Sequence, residues 1–287
     1  MRLLLLVLLL VATAARAAVS PEKLDAVRRL LRERKLAEAS FAAQALVIAH
    51  PGDAAAHAVL GRVQVAQGDA DVAVKSGEKA VELEPGSSEL HCQLGDTYGF
   101  AAQKAGMLGK VGWAKKCRLA YEKAVELDPA NLDARSSLMG FYQMAPGVMG
   151  GGVDKAYAQA AGIKKLDANR GRIAYAMLYV GKKRFTEAFT ELEELLEAAP
   201  DNCPALYQFG RAAALSGEHL DRGIETLHRC LAFSPTPGSP GHEAVHWRLG
   251  NLHEKKGDTV AARAAYQASL AIRPDYQPAL DSLGKLQ

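Results

Sequence analysis

The segment HEAVH at residues 242–246 has the clearest chemical signature in this chain. On a helix, its two histidines stand one turn apart and can bind one zinc ion, while the glutamate can act as a general base. His253 offers a further nitrogen ligand seven residues after His246. The extended HExxHxxGxxH signature places its third histidine six residues after the second, so this spacing departs from it. A zinc-dependent hydrolase is therefore one hypothesis for the function.

Other chemistry finds less support in the sequence. The four cysteines form no CxxC pair, so neither a zinc ribbon nor a thioredoxin-type site is indicated. The Glu193-Glu194 pair lies in a charge-rich stretch typical of a solvated helix face. Apart from the HEAVH segment, the sequence predicts no catalytic residues, no metal site and no cofactor.

The start of the chain has the order of a secretory signal peptide. Met1-Arg2 is followed by an apolar run over 3–12 and then by Ala15-Arg16-Ala17. Ten apolar residues are too few to span a bilayer, which takes about twenty. We therefore expect 1–17 to be removed and 18–287 to be exported, without a membrane span, to the periplasm of a bacterium or to the medium. An uncleaved anchor is the alternative.

The charge of the chain is close to balanced. There are 35 Lys and Arg against 32 Asp and Glu, and loss of Arg2 and Arg16 would bring these numbers closer still. Nucleic-acid binding domains usually show a clustered excess of basic residues. The composition therefore argues against a nucleic-acid partner. It does not define an oligomeric state.

The dominant pattern in the sequence is a repeat. Helical runs end again and again at a proline, and a small residue stands twelve positions before each one. These prolines are Pro51, Pro85, Pro129, Pro200, Pro235 and Pro274. An earlier apolar-Gly pair recurs in four units, and Gly68-Asp69 and Gly257-Asp258 provide turn signals between the two marks. The pattern predicts pairs of antiparallel helices, because small residues allow backbones to cross closely and proline ends a helix.

These marks resemble the tetratricopeptide repeat family. WRLGNLHEKKGD, followed by AARAAYQASLAIRP, matches the family pattern nearly throughout. The resemblance implies an all-α solenoid, a right-handed superhelix of about seven hairpins closed by a capping helix. The domain is 18–287, with repeats at about 20–51, 54–85, 88–129, 132–168, 169–200, 203–235 and 243–274 and a capping helix at 276–286.

The repeat gives the HEAVH residues a second interpretation. His246 and His253 fall in the first helix of the seventh repeat, where the family places large packing residues.

The repeat also predicts which two cysteines lie close together. Cys203 opens the first helix of the sixth repeat and Cys230 is near the end of the second, so antiparallel packing brings them within reach of a disulfide. Cys92 and Cys117 stand at less well matched heights.

The resemblance implies that first helices line a concave groove where partners bind. The residue after each small position, and the one four before it, point inward together. Trp, Tyr and Arg are the types most enriched at interface hot spots. The predicted protein-binding residues are Tyr207, Arg211, Trp247, Asn251, Arg62 and Arg28. The alternative is that Trp247 fills a gap between hairpins and the arginines are solvated charges.

Two insertions interrupt the repeat, at about 101–112 and 145–152. We predict that both lie in turns on one rim, where Met107, Leu108 and Trp113 sit beside Met144 and its neighbours. We interpret Gly150–Gly152 as a flexible hinge. The leading prediction is an extracytoplasmic scaffold, not an enzyme, that holds a protein or peptide partner in its groove, for example during assembly of an envelope complex. The alternatives are the zinc hydrolase and a structural subunit that associates through the Met-rich rim.

Overall fold

The computed structural model describes residues 18–235 and 239–286, which form fifteen α-helices, one 3-10 helix and no strand. The α-helices are α1 Pro21–Arg32, α2 Leu36–Ala49, α3 Ala54–Gln67, α4 Ala70–Leu83, α5 Ser88–Lys104, α6 Met107–Leu127, α7 Leu132–Met144, α8 Val153–Leu166, α9 Ala168–Gly181, α10 Phe185–Ala198, α11 Cys203–Ser216, α12 Leu220–Leu231, α13 His242–Lys255, α14 Thr259–Ile272 and α15 Gln277–Lys285. None of them is long and apolar enough to cross a membrane. The predicted signal peptide lies outside the described residues and stays a prediction.

The helices form two compact units, which divide after Ala134. In unit 1, α1 pairs with α2, α3 with α4 and α5 with α6. In unit 2, α9 pairs with α10, α11 with α12 and α13 with α14, and α15 packs against α14. Arg135 on α7 donates to Gln159 on α8 at 3.0 Å. The predicted all-α solenoid of helical hairpins with a closing helix is confirmed.

Glycine ends the first helix of several hairpins, as the turn signals predict. Gly68, Gly217 and Gly257 have φ of 94°, 84° and 79°, a left-handed backbone that other residues adopt with strain. The aspartate that follows caps the next helix in one case only. The Asp258 side chain accepts a hydrogen bond from the Ala261 amide at 2.9 Å, whereas Asp69 makes no such bond.

Within the hairpins, glycine stands where a large side chain of the paired helix crosses the backbone. A Cβ on Gly210 would overlap Leu227, and one on Gly250 would overlap the ring of Tyr266. Leu227 and Tyr266 are both fully buried, so neither can move aside into solvent. The apolar-Gly marks of the sequence therefore record close helix crossings.

Gly250→Ala is expected to lower the free energy of unfolding by about 1–3 kcal/mol, because its methyl group overpacks the contact with Tyr266. Urea denaturation followed by circular dichroism measures the change. Gly284→Ala on α15 is the matched control, since nothing lies within 4 Å of its added Cβ. That variant should keep or slightly raise stability, because alanine favours helix over glycine. Equal effects of the two substitutions would contradict this account of the crossing.

The prediction that the insertion at 101–112 forms an enlarged turn is wrong. The extra residues extend both helices, so that α5 has 17 residues and α6 has 21, and only Ala105 and Gly106 lie between them. The segment contains no proline, and its alanine, lysine and leucine residues are good helix formers. Continuing two paired helices satisfies the backbone hydrogen bonds that a ten-residue loop would leave to water.

The insertion at 145–152 does form a turn, and a flexible hinge at its glycines stays a prediction. A 3-10 helix spans Gly147–Met149, and Gly150 follows in a left-handed conformation. A Cβ on Gly151 would overlap the carbonyl of Ala145, and the Gly152 amide donates to the Tyr142 carbonyl at 2.9 Å. The glycines thus permit a tight, hydrogen-bonded turn. Its predicted proximity to Met107 joins residues of different units and stays a prediction.

Candidate functional site

The HEAVH residues contact neighbouring residues at the start of the seventh hairpin. A ring nitrogen of His242 lies 2.9 Å from the carbonyl oxygen of Phe233, and the Glu243 carboxylate lies 3.7 Å from the Arg273 guanidinium. Burial lowers the pKa of His246, and His242 lowers it further. Across 18–235 and 239–286, no three His, Cys, Asp or Glu side chains are grouped to hold a metal ion. The geometry of this segment therefore favours a structural role.

The cysteines divide into a bonded pair and two thiols. Cys203 at the start of α11 and Cys230 near the end of α12 form a disulfide, with their Cα atoms 5.0 Å apart. Cys92 and Cys117 are buried thiols that take no part in a disulfide. Burial raises the pKa of Cys117 to about 12, so this thiol stays protonated at neutral pH.

The two candidate arginines of unit 1 have acidic neighbours. Arg28 forms an ion pair with Asp25 at 2.8 Å. Arg62 lines the same shallow depression as Arg28, together with Glu84 and Glu89. These carboxylates offset the positive charge of the two arginines, so this surface has little preference for an anionic partner.

Trp247 of unit 2 contacts the closing helix α15 and the residue that precedes it. Its indole nitrogen donates to the Ser282 hydroxyl of α15 at 3.1 Å, and its ring meets that of Tyr276 edge-on with centroids 6.1 Å apart. An amphipathic ring used in this way fixes the closing helix. Trp247 therefore links α13 to the closing helix, and its predicted role in partner binding stays a prediction.

Asn251 is also engaged inside its hairpin. Its amide nitrogen donates to the Tyr266 hydroxyl at 2.8 Å, and its carbonyl oxygen accepts from Arg248 at 3.0 Å. Tyr266 in turn donates to Glu254 at 2.8 Å. Both ends of the amide are thus used, and its contribution is to position Arg248.

Arg248, which the sequence analysis did not select, is the most unusual side chain of this surface. It is only 8% exposed, and its guanidinium carbon lies 4.2 Å from the centre of the Trp247 ring. Its buried Nε atom has no hydrogen-bond partner. A buried guanidinium normally has a carboxylate or a full set of acceptors, since desolvating its charge is costly.

Arg211 lies beside Arg248, because α11 packs against α13. Burial lowers the pKa of Arg211, and the charge of Arg248 lowers it further. Its guanidinium donates to Gln208 at 3.3 Å. In the part of the chain that the structure describes, no carboxylate lies within ion-pair distance of either arginine. The two like charges therefore share one face of unit 2 without a counter-ion.

Two tyrosines complete this site. Burial raises the pKa of Tyr276, with a further contribution from Tyr207, and the Arg248 charge opposes the shift. We call Tyr207, Arg211, Arg248 and Tyr276 the arginine cluster.

The sequence contained a signal for Arg248. This residue directly precedes the apolar-Gly pair of its repeat, and Gln208 occupies the equivalent position in the preceding hairpin.

Comparison with known proteins identifies the family of this chain. A family model described as tetratricopeptide repeat matches residues 24–88 and 207–276, and a second model of the same description matches 170–202. Superkiller complex protein 3 of Mus musculus is 25% identical over 276 residues, which cover 84% of this chain but 17% of that protein. The chain thus spans under a fifth of the length of this curated relative.

Solved structures show the same fold. A tetratricopeptide repeat protein from Parabacteroides merdae superposes with a TM-score of 0.63 at 14% identity, covering 92% of this chain and 97% of the other. A thermophilic protein of the same kind from Thermus thermophilus gives a TM-score of 0.51 at 19% identity, covering 73% and 98%. Since the family models match both units and these structures share the stacked hairpins, the chain belongs to the tetratricopeptide repeat family.

Proposed function

We propose that this protein is a binding scaffold that holds an acidic segment of a partner protein on the first-helix face of unit 2. The observation that carries the proposal is the pair Arg211 and Arg248, adjacent and largely buried without an anion. A carboxylate placed between them would supply the missing counter-charge. The surrounding fold offers rigid positions for such a contact, because both side chains stand on packed helices.

The chemistry of the arginine cluster suits a carboxylate. A guanidinium can bind a carboxylate through two parallel hydrogen bonds, and within the described residues the Arg248 guanidinium donates only to Asn251. Tyr207 and Tyr276 add hydroxyl donors and aromatic surface, which are frequent at the energetic centres of interfaces. This role is binding without catalysis, in keeping with the structural contacts of the HEAVH residues.

The proposal includes an extracytoplasmic location, in the periplasm or outside the cell. The leader-like pattern of residues 1–17 supports it, and so does the Cys203–Cys230 bond, since disulfides persist mainly in oxidising compartments. In such a compartment, a scaffold without a membrane span could assemble envelope proteins.

Capture of partners from an envelope extract tests the proposal. We expect the wild-type protein to retain a partner through an acidic segment, and Tyr207→Ala/Arg211→Ala to lose it. Arg263→Ala on α14 is the matched control, since it removes an exposed arginine from a second helix. A partner retained by the folded double variant would move the site away from the arginine cluster, and exposed residues such as Met144 and Val148 would be tested next.

A further inference from the structure

The long α5–α6 hairpin of unit 1 presents an apolar surface to solvent. Met107 and Leu108, in the first turn of α6, are 89% and 96% exposed, and Val111 and Leu119 are nearly half exposed. Leu108, Val111 and Leu119 recur at intervals of three and eight residues, so they follow one face of the helix. Ala114 and Cys117, on the opposite face, are buried against the rest of the unit. The outer face of α6 therefore carries an apolar stripe that no described part of unit 1 covers.

Two exposed lysines lie near this stripe, Lys115 on the stripe and Lys110 in the first turn of α6. Residues 97–121 contain five basic side chains and no Asp or Glu, whereas acidic residues make up about one in nine of the whole chain. Lys110 and Lys115 are exposed, and within the described residues their ammonium groups form no ion pair or hydrogen bond. Lys116, by contrast, is paired with Glu78 at 3.3 Å. Lys115 stands between Val111 and Leu119 on the stripe itself, so apolar and cationic groups share one surface.

We propose that this surface, which we call the α6 tip face (Met107, Leu108, Lys110, Val111, Lys115), attaches the protein to an anionic lipid surface. Helices that lie at membrane interfaces combine exposed large apolar side chains with lysine in this way. The apolar groups enter the boundary of the acyl chains, and the ammonium groups remain with the lipid phosphates. Such attachment needs no membrane-spanning helix.

The shape of the tip favours a lipid surface over a partner helix. A partner helix typically docks its own apolar residues into a groove. Here Met107 and Leu108 protrude almost completely, and the concavity lined by Trp113, Lys104, Asp69 and Asp71 includes neither of them. Trp113 itself is stacked on Tyr98, with centroids 5.7 Å apart. A bilayer can receive protruding side chains without a preformed pocket.

The proposal is independent of the arginine cluster, which lies in unit 2. It is tested by co-sedimentation of the 18–287 chain with vesicles of phosphatidylcholine containing 30% phosphatidylglycerol. Circular dichroism first verifies that this chain has the helix content of the full protein. We expect binding that falls more than about tenfold in Met107→Ser/Leu108→Ser, and about thirtyfold in Lys110→Ala/Lys115→Ala. Binding should also weaken as salt is raised, because exposed charges are screened.

Phe41→Ser/Ile48→Ser is the matched control. Both residues are about as exposed as Met107 and lie in the same unit, but outside the α6 tip face. This variant should bind vesicles as the wild type does. The proposal is overturned if the wild type ignores anionic vesicles, if it binds pure phosphatidylcholine equally well, or if the tip variants bind unchanged. Loss of a captured protein in the tip variants, without vesicle binding by the wild type, would instead identify a protein partner.

Discussion

Replacing Arg211 and Arg248 together by methionine is expected to weaken the binding of an acidic partner segment by at least about thirtyfold. Removing one member of a buried charge pair at an interface typically costs about 2–5 kcal/mol, and tenfold in affinity is about 1.4 kcal/mol. The double variant removes both guanidiniums from the arginine cluster while keeping similar side-chain volume.

The same substitution is expected to raise the free energy of unfolding of the unbound protein by about 1 kcal/mol. Arg248 is 8% exposed, lies beside a second positive charge and has an unbonded Nε, so its burial opposes folding. Methionine removes that charge and can still contact the Trp247 ring. A loss of binding with a gain in stability cannot arise from misfolding. It is the trade-off typical of a site arranged for its ligand.

Fluorescence anisotropy with an aspartate-rich peptide taken from the captured partner measures the first effect, and urea denaturation measures the second. The peptide with each aspartate changed to asparagine is the control ligand, and it should bind wild type and variant equally weakly. The assignment is wrong if the variant binds the acidic peptide as the wild type does. It is also wrong if the variant is destabilised as strongly as a core deletion, since the arginines would then be structural.

Much of the fold could be predicted because the repeat leaves local marks. The proline that follows six of the seven second helices and the glycine at four of the crossings act through backbone geometry, which a sequence records directly. The insertion at 101–112 was predicted wrongly because its length alone does not distinguish a loop from two longer helices. That choice depended on whether α5 and α6 could continue to pack, as Trp113 does on Tyr98.

The site was less predictable than the fold. Register arguments placed Tyr207 and Arg211 on the first-helix face, and they also placed Trp247 and Asn251 there. What those side chains do depends on contacts far away in the sequence, such as the bond from Trp247 to Ser282, 35 residues later. Arg248 was missed because one register position does not reveal that a charge is buried without a partner. Burial and pairing are properties of the assembled helices.

Reducing the Cys203–Cys230 bond is expected to lower the free energy of unfolding by about 3–4 kcal/mol, the loop-closure entropy for its 27-residue separation. This bond ties the two ends of the α11–α12 hairpin, which carries Tyr207 and Arg211. A reducing agent should therefore shift the urea midpoint of the wild type and leave Cys203→Ser/Cys230→Ser unchanged. Cys92→Ser is the matched control, since Cys92 takes no part in a disulfide and the Cys203–Cys230 bond remains in this variant.

The same bond links stability to compartment. Protein purified after export should expose two titratable thiols when denatured without reductant, those of Cys92 and Cys117. The chain made in a bacterial cytoplasm without residues 1–17 should expose four titratable thiols and unfold at a lower urea concentration, because thiols stay reduced in the cytoplasm. Four free thiols in the exported protein would contradict both the bond and the argument it supports. Two titratable thiols in each preparation would show that the bond forms in either compartment. The proposed extracytoplasmic location would then be supported only by the leader-like pattern of residues 1–17.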